Sequence, residues 1–427
     1  MERTFMNTYC RAGWICTALA LSSPVCASDF NIPFINAAGL GNAYADWATA
    51  ASDASTTYTN PAGLVNIDRQ QLVIAALGLK GHTRFTGSTQ TPPFSFPLTI
   101  SQSGTASSQL SAFFPSFYYA APINNRLAFG FGVTVPFALG TNYGTDSIVR
   151  YAATRSQVLA VDMGPSLGVK VNDKFSFGLG LDAVRLAFKL NNIYGPPLAF
   201  TDTVGQNYLS GWGYGWHGGI LYQVLPATRV GASFNSMVMM HTTGSSEVFG
   251  SFPPGRIKIE NNKTNAGLPA RAQLSIQQDL NSRWSIMGTA FYTNWRTFEK
   301  ITMKRVVIPG GNITSVTIPF NYHNTFDYSL GLSYKPSPQW LLRTGVQYMN
   351  TPSNDRDRGV ADPIGRAIVI GLGLHYQQNL CVGYDIGYGH SFFKQESVDY
   401  ANALTKAVGH NNTATNVFGA QIAWNLT

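Results

Sequence analysis

Fourteen stretches of this 427-residue chain alternate apolar with small or polar residues at a period of two, and no other feature limits the fold so sharply. In 379–390, Leu380, Val382, Tyr384, Ile386 and Tyr388 are apolar or aromatic, and Cys381, Gly383, Asp385, Gly387 and Gly389 lie between them. In 339–348, Trp340, Leu342, Val346 and Tyr348 share one face, opposite Arg343, Gly345 and Gln347. In 157–171, Leu159, Val161, Met163, Leu167 and Val169 oppose Asp162, Ser166 and Lys170. The fourteen lie at about 71–85, 110–122, 126–139, 157–171, 174–190, 211–225, 227–243, 267–280, 283–300, 322–336, 339–350, 366–378, 380–394 and 413–426. Six short connections, such as 123–126 and 171–174, alternate with seven longer ones of about 12 to 25 residues. An even strand number with short turns at one rim and long loops at the other belongs to barrels whose outer face meets lipid. The expected fold is all-β: a 14-stranded antiparallel transmembrane β-barrel with both termini periplasmic, in the outer membrane of a Gram-negative bacterium.

Composition removes the competing classes. Charged residues are 12% of the chain, aromatics 13%, and glycines number 42; a soluble surface needs roughly 25–35% charge. After the N-terminus no uncharged apolar run reaches the 18 to 20 residues of a membrane-crossing helix. Arg3 and Arg11, an apolar stretch at 12–21 and Val-Cys-Ala at 25–27 make residues 1–27 a signal peptide cut after Ala27. Cys10, Cys16 and Cys26 leave with it, so Cys381 stands alone and forms no internal disulfide. Removing two Arg and one Glu takes the net charge from +8 to +7. Lys and Arg are scattered, which fits outer-membrane lipids and lipopolysaccharide rather than nucleic acid as partners. The seven histidines show no metal-ligand spacing, and no cofactor or metal is expected.

Residues 28–70 precede the barrel strands, which occupy 71–427, and 37–56 are rich in small residues. Folded inside the lumen, such a segment fills a barrel too wide to be closed by side chains alone. It ends on Asn60-Pro61-Ala62, a turn signature that would deliver the chain from this plug into the wall.

These residues resemble the FadL-type family of outer-membrane transporters for long-chain fatty acids and related hydrophobic compounds. The resemblance rests on 28–46, with Phe30 and Gly39-Leu40-Gly41, on the Asn60-Pro61-Ala62 hatch motif, and on 113–124, 175–184, 211–223, 268–275 and 340–348. It implies a monomeric barrel with an N-terminal hatch at 28–70, whose gate includes Phe30, Asn60, Pro61 and Ala62. It further implies capture of a hydrophobic small molecule in an extracellular groove, passage to an interior pocket, and lateral exit through a kink in the third strand.

That strand holds Gly130, Gly132, Thr134 and Pro136. Proline inside a closed sheet marks a bulge, edge or break, so these four are the candidate lateral window, with an ordinary rim bulge as the alternative. In the fifth strand Phe175, Phe177, Leu179 and Leu181 share one parity and Val184, Leu186, Phe188 and Leu190 the other. A bulge near Ala183 would keep all eight facing lipid; without it the second set lines an apolar pocket. Arg185 and Lys189 either face inward, where they would hold a carboxylate, or face outward, where they meet lipid phosphates. His217 and His375 have lumen parity, as hydrogen-bonded wall residues. By the resemblance His323, at the start of the tenth strand, stands where the family tends to carry a basic ligand-binding residue. Tyr194, Leu198 and Phe200 in the loop 193–200, and Phe249 and Phe252 in the loop 247–259, are candidates for the capture groove.

The expected function is passive uptake of long-chain fatty acids or related hydrophobic molecules, with no enzymatic activity. Neutral or aromatic hydrocarbons are the alternative cargo, because a histidine at this place would pair with a carboxylate only weakly. A general porin lacks support in a hatch-like segment and a lumen without a dense ring of charge. A hydrolase needs a nucleophile and a His held in reach, and the nearest pair, His390-Ser391, points to opposite faces of a strand.

Overall fold

A strand with one greasy and one small or polar face can bury neither alone, and closing the sheet on itself satisfies both. The computed structural model describes residues 35–91, 99–195, 198–199, 201–251, 254–363, 365–402 and 405–426; the expected signal peptide and Phe30 lie outside these. Among the described residues, nineteen strand segments form fourteen wall strands, five of them interrupted. The first strand (Gln71–Gln90) pairs antiparallel with both the second (Ser101–Asn124) and the last (Lys406–Asn425), which closes the barrel. The pairs Gln71↔Asn425 and Gln71↔Ala120 put both ends of the wall at the short-turn rim.

The outward parity is apolar as expected: Trp340, Leu342, Val346 and Tyr348 are exposed, as are Phe177, Leu179 and Leu181. Aromatic rings gather near the short-turn rim, where Trp284 stacks on Tyr334 at 4.3 Å and Trp340 meets Tyr376 at 4.5 Å. The strands run well past the expected ends. The sixth (Thr203–Leu225) starts eight residues before the expected 211, and the second and fourteenth also begin early. The expected long loops are therefore largely strand. The expected loop at 247–259 is a hairpin, with the seventh strand ending at Ser251 and the eighth starting at Pro254. Lipid-facing alternation fades once a strand leaves the membrane, although backbone pairing continues.

Four neighbouring strands, the seventh to the tenth, break at one level. The paired row His217, Asn235, Arg271, Thr293, Thr325 is continuous around this part of the wall. Beyond it the seventh strand resumes at Val238, the eighth is broken between Leu268 and Arg271, and a 3-10 turn at Trp295–Phe298 interrupts the ninth. The tenth breaks between Ile313–Pro319 and Thr325–Ser337. His323 therefore sits in that break, exposed, rather than at the start of a strand.

Residues 35–70 fill the lumen below this row. Asn36 caps a short helix (Ala37–Gly41) by accepting from the Gly39 N–H at 2.8 Å. Trp47 joins Tyr44, Tyr58 and wall residue Phe291 in a buried aromatic cluster. The hatch lies on wall glycines. A Cβ at Gly345 would fall 2.0 Å from the Asn42 carbonyl oxygen, and one at Gly178 would fall 2.4 Å from the Pro61 backbone. The small residues of the inner face are thus the seat of the plug.

Asn60-Pro61-Ala62 is the bolt. Pro61 opens a 3-10 helix (Pro61–Asn66), where its missing N–H costs nothing, and Asn60 caps it by accepting from the Ala62 N–H at 3.1 Å. The Asn60 amide donates to the Ala48 carbonyl at 2.7 Å and to the Ile220 carbonyl of the wall at 2.9 Å. Ser176 of the wall donates to the Ala62 carbonyl at 2.8 Å. Asn60→Ala removes three hydrogen bonds, two of them buried, together about 2–3 kcal/mol. Amide exchange across 35–66, followed by mass spectrometry, is expected to run roughly 30- to 150-fold faster in this variant.

Candidate functional site

Above the hatch, the third strand (Leu127–Asn142) leaves the wall. From Leu127 to Val133 it alternates, and from Thr134 to Thr141 every residue is buried. Its pairing with the second strand ends at Phe117↔Val133. Its pairing with the fourth strand (Arg155–Lys170) shifts register between Thr134 and Phe137, around Pro136. The second strand meanwhile continues along the first alone. A gap results between the second and third strands, spanned at one end by the hydroxyls of Ser116 and Thr134, 3.0 Å apart. At the other end the Asn142 N–H donates to Ser108 Oγ at 2.8 Å. The intervening residues 109–115 have no partner on the third strand, a length on the order of 20 Å. Leu110, Phe114, Val135 and Ala138 belong to one buried apolar cluster, so side chains fill what backbone bonds do not. Gly130 and Gly132 lie lower, where a Cβ at Gly130 would meet Thr57 Oγ1 at 2.5 Å; they seat the hatch beside the gap.

On the far side of the kinked strand is an apolar chamber. The fifth strand (Phe175–Tyr194) pairs with the sixth without a register break, so there is no bulge at Ala183. Val184, Leu186 and Phe188 consequently point inward, and Phe137, Leu139, Leu268, Trp295 and Phe298 join them in one buried cluster. Arg185 and Lys189 project from the outer face. The Arg185 guanidinium lies 5.5 Å from the Trp212 ring and donates to Ser210 Oγ at 3.0 Å, and the Lys189 ammonium is 5.8 Å from the Tyr208 ring. Of the two orientations open in the sequence, the unbroken register permits only this one.

The remaining candidates separate. Tyr194 is buried and lines the chamber, and Leu198 packs on the cluster of Tyr194, Val248 and Val307. Phe249 has the opposite parity to buried Val248 and lies against Arg256, 4.9 Å away, so it belongs to the outer side of the hairpin. Phe200 and Phe252 lie outside the described residues. His323 faces solvent, and its neighbour Tyr322 turns into the chamber instead.

Sequence reasoning missed four groups that only the fold assembles. Arg271, buried on the eighth strand, donates to the Tyr58 hydroxyl at 2.6 Å and stacks 4.8 Å from the Phe137 ring, joining hatch and kinked strand. Arg343 and Asp385 pair at 2.5 Å on the inner wall. Ser166, His217 and Asp182 stand in the order of a catalytic triad, at 2.9 Å and 2.6 Å. However, His217 Nε2 and Ser166 Oγ both also contact the Thr57 carbonyl of the hatch, at 2.9 Å and 3.2 Å. The serine is buried beneath that segment, so the three side chains form a latch on the hatch rather than a nucleophile open to substrate.

The fourth group is Asp362, in the connection before the twelfth strand (Ala367–Gln377). It is 6% exposed, accepts from the Tyr322 hydroxyl, and lines the chamber. Burial pushes its carboxyl up to about 8 from 3.8. A raised folded-state pKa means that its contribution to stability is complete below the ordinary value and is lost as pH rises through about 8. Hydrogen exchange of 350–366, corrected for intrinsic rates, is therefore expected to show loosening of this segment between pH 5 and pH 9. Asp362→Asn should weaken that dependence.

Comparison with known proteins agrees with this architecture. The family described as "Outer membrane protein transport protein (OMPP1/FadL/TodX)" matches residues 18–425. A "Long-chain fatty acid transport protein" of Escherichia coli O6:H1 is 23% identical over 407 residues, covering 87% of this chain and 89% of that one. The crystal structure of a Pseudomonas aeruginosa FadL homologue superposes with TM-score 0.83 at 22% identity, covering 94% of this chain and 100% of the other. That of the Ralstonia pickettii toluene transporter TbuX gives TM-score 0.59 at 19% identity, covering 86% and 93%.

Proposed function

Because this chain belongs to the OMPP1/FadL/TodX family of outer-membrane transport proteins, non-enzymatic barrels that carry hydrophobic molecules across the Gram-negative outer membrane, we propose that it takes up long-chain amphiphiles and releases them sideways into the membrane. The observation that carries this reading is the gap between the second and third strands, filled by apolar side chains and adjoining the apolar chamber across the kinked strand. Each methylene of a chain gains about 0.8 kcal/mol on leaving water. An aqueous pore forfeits that gain, whereas a door into lipid keeps it.

The steps follow from named side chains. Ligand enters at the rim near Tyr194 and Leu198 and settles among Leu139, Val184, Leu186, Phe188 and Phe298. Filling this chamber displaces Phe137, and through Arg271 that movement reaches Tyr58 of the hatch. Val135 and Ala138 then part from Leu110 and Phe114, and the chain slides out between the strands. Within this reading residues 1–27 are a cleaved signal peptide, 28–70 the hatch and 71–427 the barrel. The protein acts as a monomer with lipopolysaccharide around its outer leaflet, and both termini are periplasmic. Tyr292 and Trp340 illustrate that the outer surface is already dressed for lipid.

A second reading, uptake of neutral or aromatic hydrocarbons, draws support from the outward placement of Arg185 and Lys189, which leaves the chamber without those cations. Both readings share the window. Ser116→Cys with Thr134→Cys replaces hydroxyls 3.0 Å apart by a pair suited to a disulfide. In cells, uptake of labelled long-chain substrate is expected to fall at least tenfold when this pair is oxidised and to recover with reductant. Pro136→Val should reduce uptake several-fold by favouring a straighter strand. Unchanged uptake in the oxidised double-cysteine protein would rule out lateral exit.

A further inference from the structure

Two abutting cavities of about 110 and 50 Å³ make up the chamber, and they share Ser156, Leu190, Phe320, Ala361 and Asp362. The smaller is walled by Leu139, Val158, Leu186, Phe188, Phe298 and Ile301. The larger adds polar groups, among them Asn191, Asn207, Tyr322 and Asp357. Asp362 stands at the junction, with Oδ2 taken by Tyr322 while its buried Oδ1 has no partner among the described residues. Among the described residues lining either cavity there is no Lys, Arg or His, and two are carboxylic acids.

This lining discriminates among ligands that share one tail. A carboxylate head would surrender its hydration to an apolar wall with no cation, and Asp362, ionised or neutral, returns at most one hydrogen bond. A plain alkane would leave the already covered Oδ1 unbonded. A hydroxyl both donates and accepts, so it satisfies Oδ1 and carries no charge into the apolar wall.

We infer that the chamber is built for a long-chain molecule with an uncharged, hydrogen-bond-donating head, a long-chain alcohol rather than the corresponding fatty-acid anion, with Asp362 and Tyr322 as its specificity determinants. This inference rests on the chamber being the ligand compartment of the transporter proposed above. His323, the basic residue anticipated from sequence, is turned to solvent, and the residue beside it, Tyr322, supplies the donor to Asp362.

The test uses the full mature protein, delipidated in detergent and exposed to equimolar 1-dodecanol, dodecanoate and dodecane. Protein is separated by gel filtration, and extracted ligand is measured by gas chromatography relative to empty micelles. Retention of 1-dodecanol at least tenfold above both others is expected. In the double variant Tyr322→Phe with Asp362→Leu, the advantage over dodecane should fall at least fivefold. Dodecanoate retained as well as 1-dodecanol by the unmodified protein overturns the inference, as does an unchanged preference in the double variant. The ranking in the unmodified protein decides the matter if that variant does not fold. Dodecane retained equally with 1-dodecanol overturns the head-group assignment and leaves the uptake reading standing, whereas retention of none of the three overturns the chamber itself.

Discussion

Backbone amides inside a bilayer have no water to turn to, and the rest of this structure depends on that. Closure of the first strand onto the fourteenth removes both sheet edges at once. Against that background the separation of the second and third strands is costly, because it restores two short edges within an otherwise edgeless wall. The third strand limits the cost by bending inward, where both its faces are covered, while Ser116–Thr134 and Asn142–Ser108 replace ladder bonds with side-chain bonds at the two ends. The pairing rule thus decides where such a gap can exist and how it must be framed.

The alternation that dresses the outer surface for lipid also builds the seat for the plug. Gly345 and Gly178 bring hatch backbone within a Cβ radius of the wall, and the Asn60 amide crosses that short distance to reach Ile220. Hatch and kinked strand are then joined through few atoms. Arg271 touches Tyr58 on one side and Phe137 on the other, and Thr57 rests both on Gly130 of the third strand and on His217 of the sixth.

Much of this was legible in the sequence because it is periodic or local. Strand parity at 339–348 and 379–390, the alternating turn lengths and the turn at Asn60-Pro61 depend on neighbours a few residues apart. Pro136 was informative because proline is incompatible with an uninterrupted ladder, whatever surrounds it. The strand ends were not legible: beyond the membrane the outward face becomes polar, and the pattern stops before the pairing does. The chamber was readable only as a phase change in the fifth strand, with a bulge as a competing explanation that Arg185 and Lys189 could not decide. Asp362 with Tyr322, Arg271 with Tyr58, and Ser166 with His217 bring together residues 40, 213 and 51 positions apart. No spacing rule links them. His323 was misplaced because the tenth strand is broken just before Thr325, and a break of a few residues reverses which neighbour faces inward.

The aligned interruption of the seventh to tenth strands divides the barrel mechanically. Below the row from His217 to Thr325 the hoop of backbone bonds is complete and braced by the hatch. Above it, four adjacent strands are hinged at one height, and Trp295 and Phe298 fill the joint with side chains. Such a panel remains joined to the rest of the wall through the unbroken sixth strand, which pairs with its near edge from Thr203 to Trp212. Ring packing thus replaces backbone bonds at this height, and the wall changes there from a continuous hoop to strands jointed by side chains.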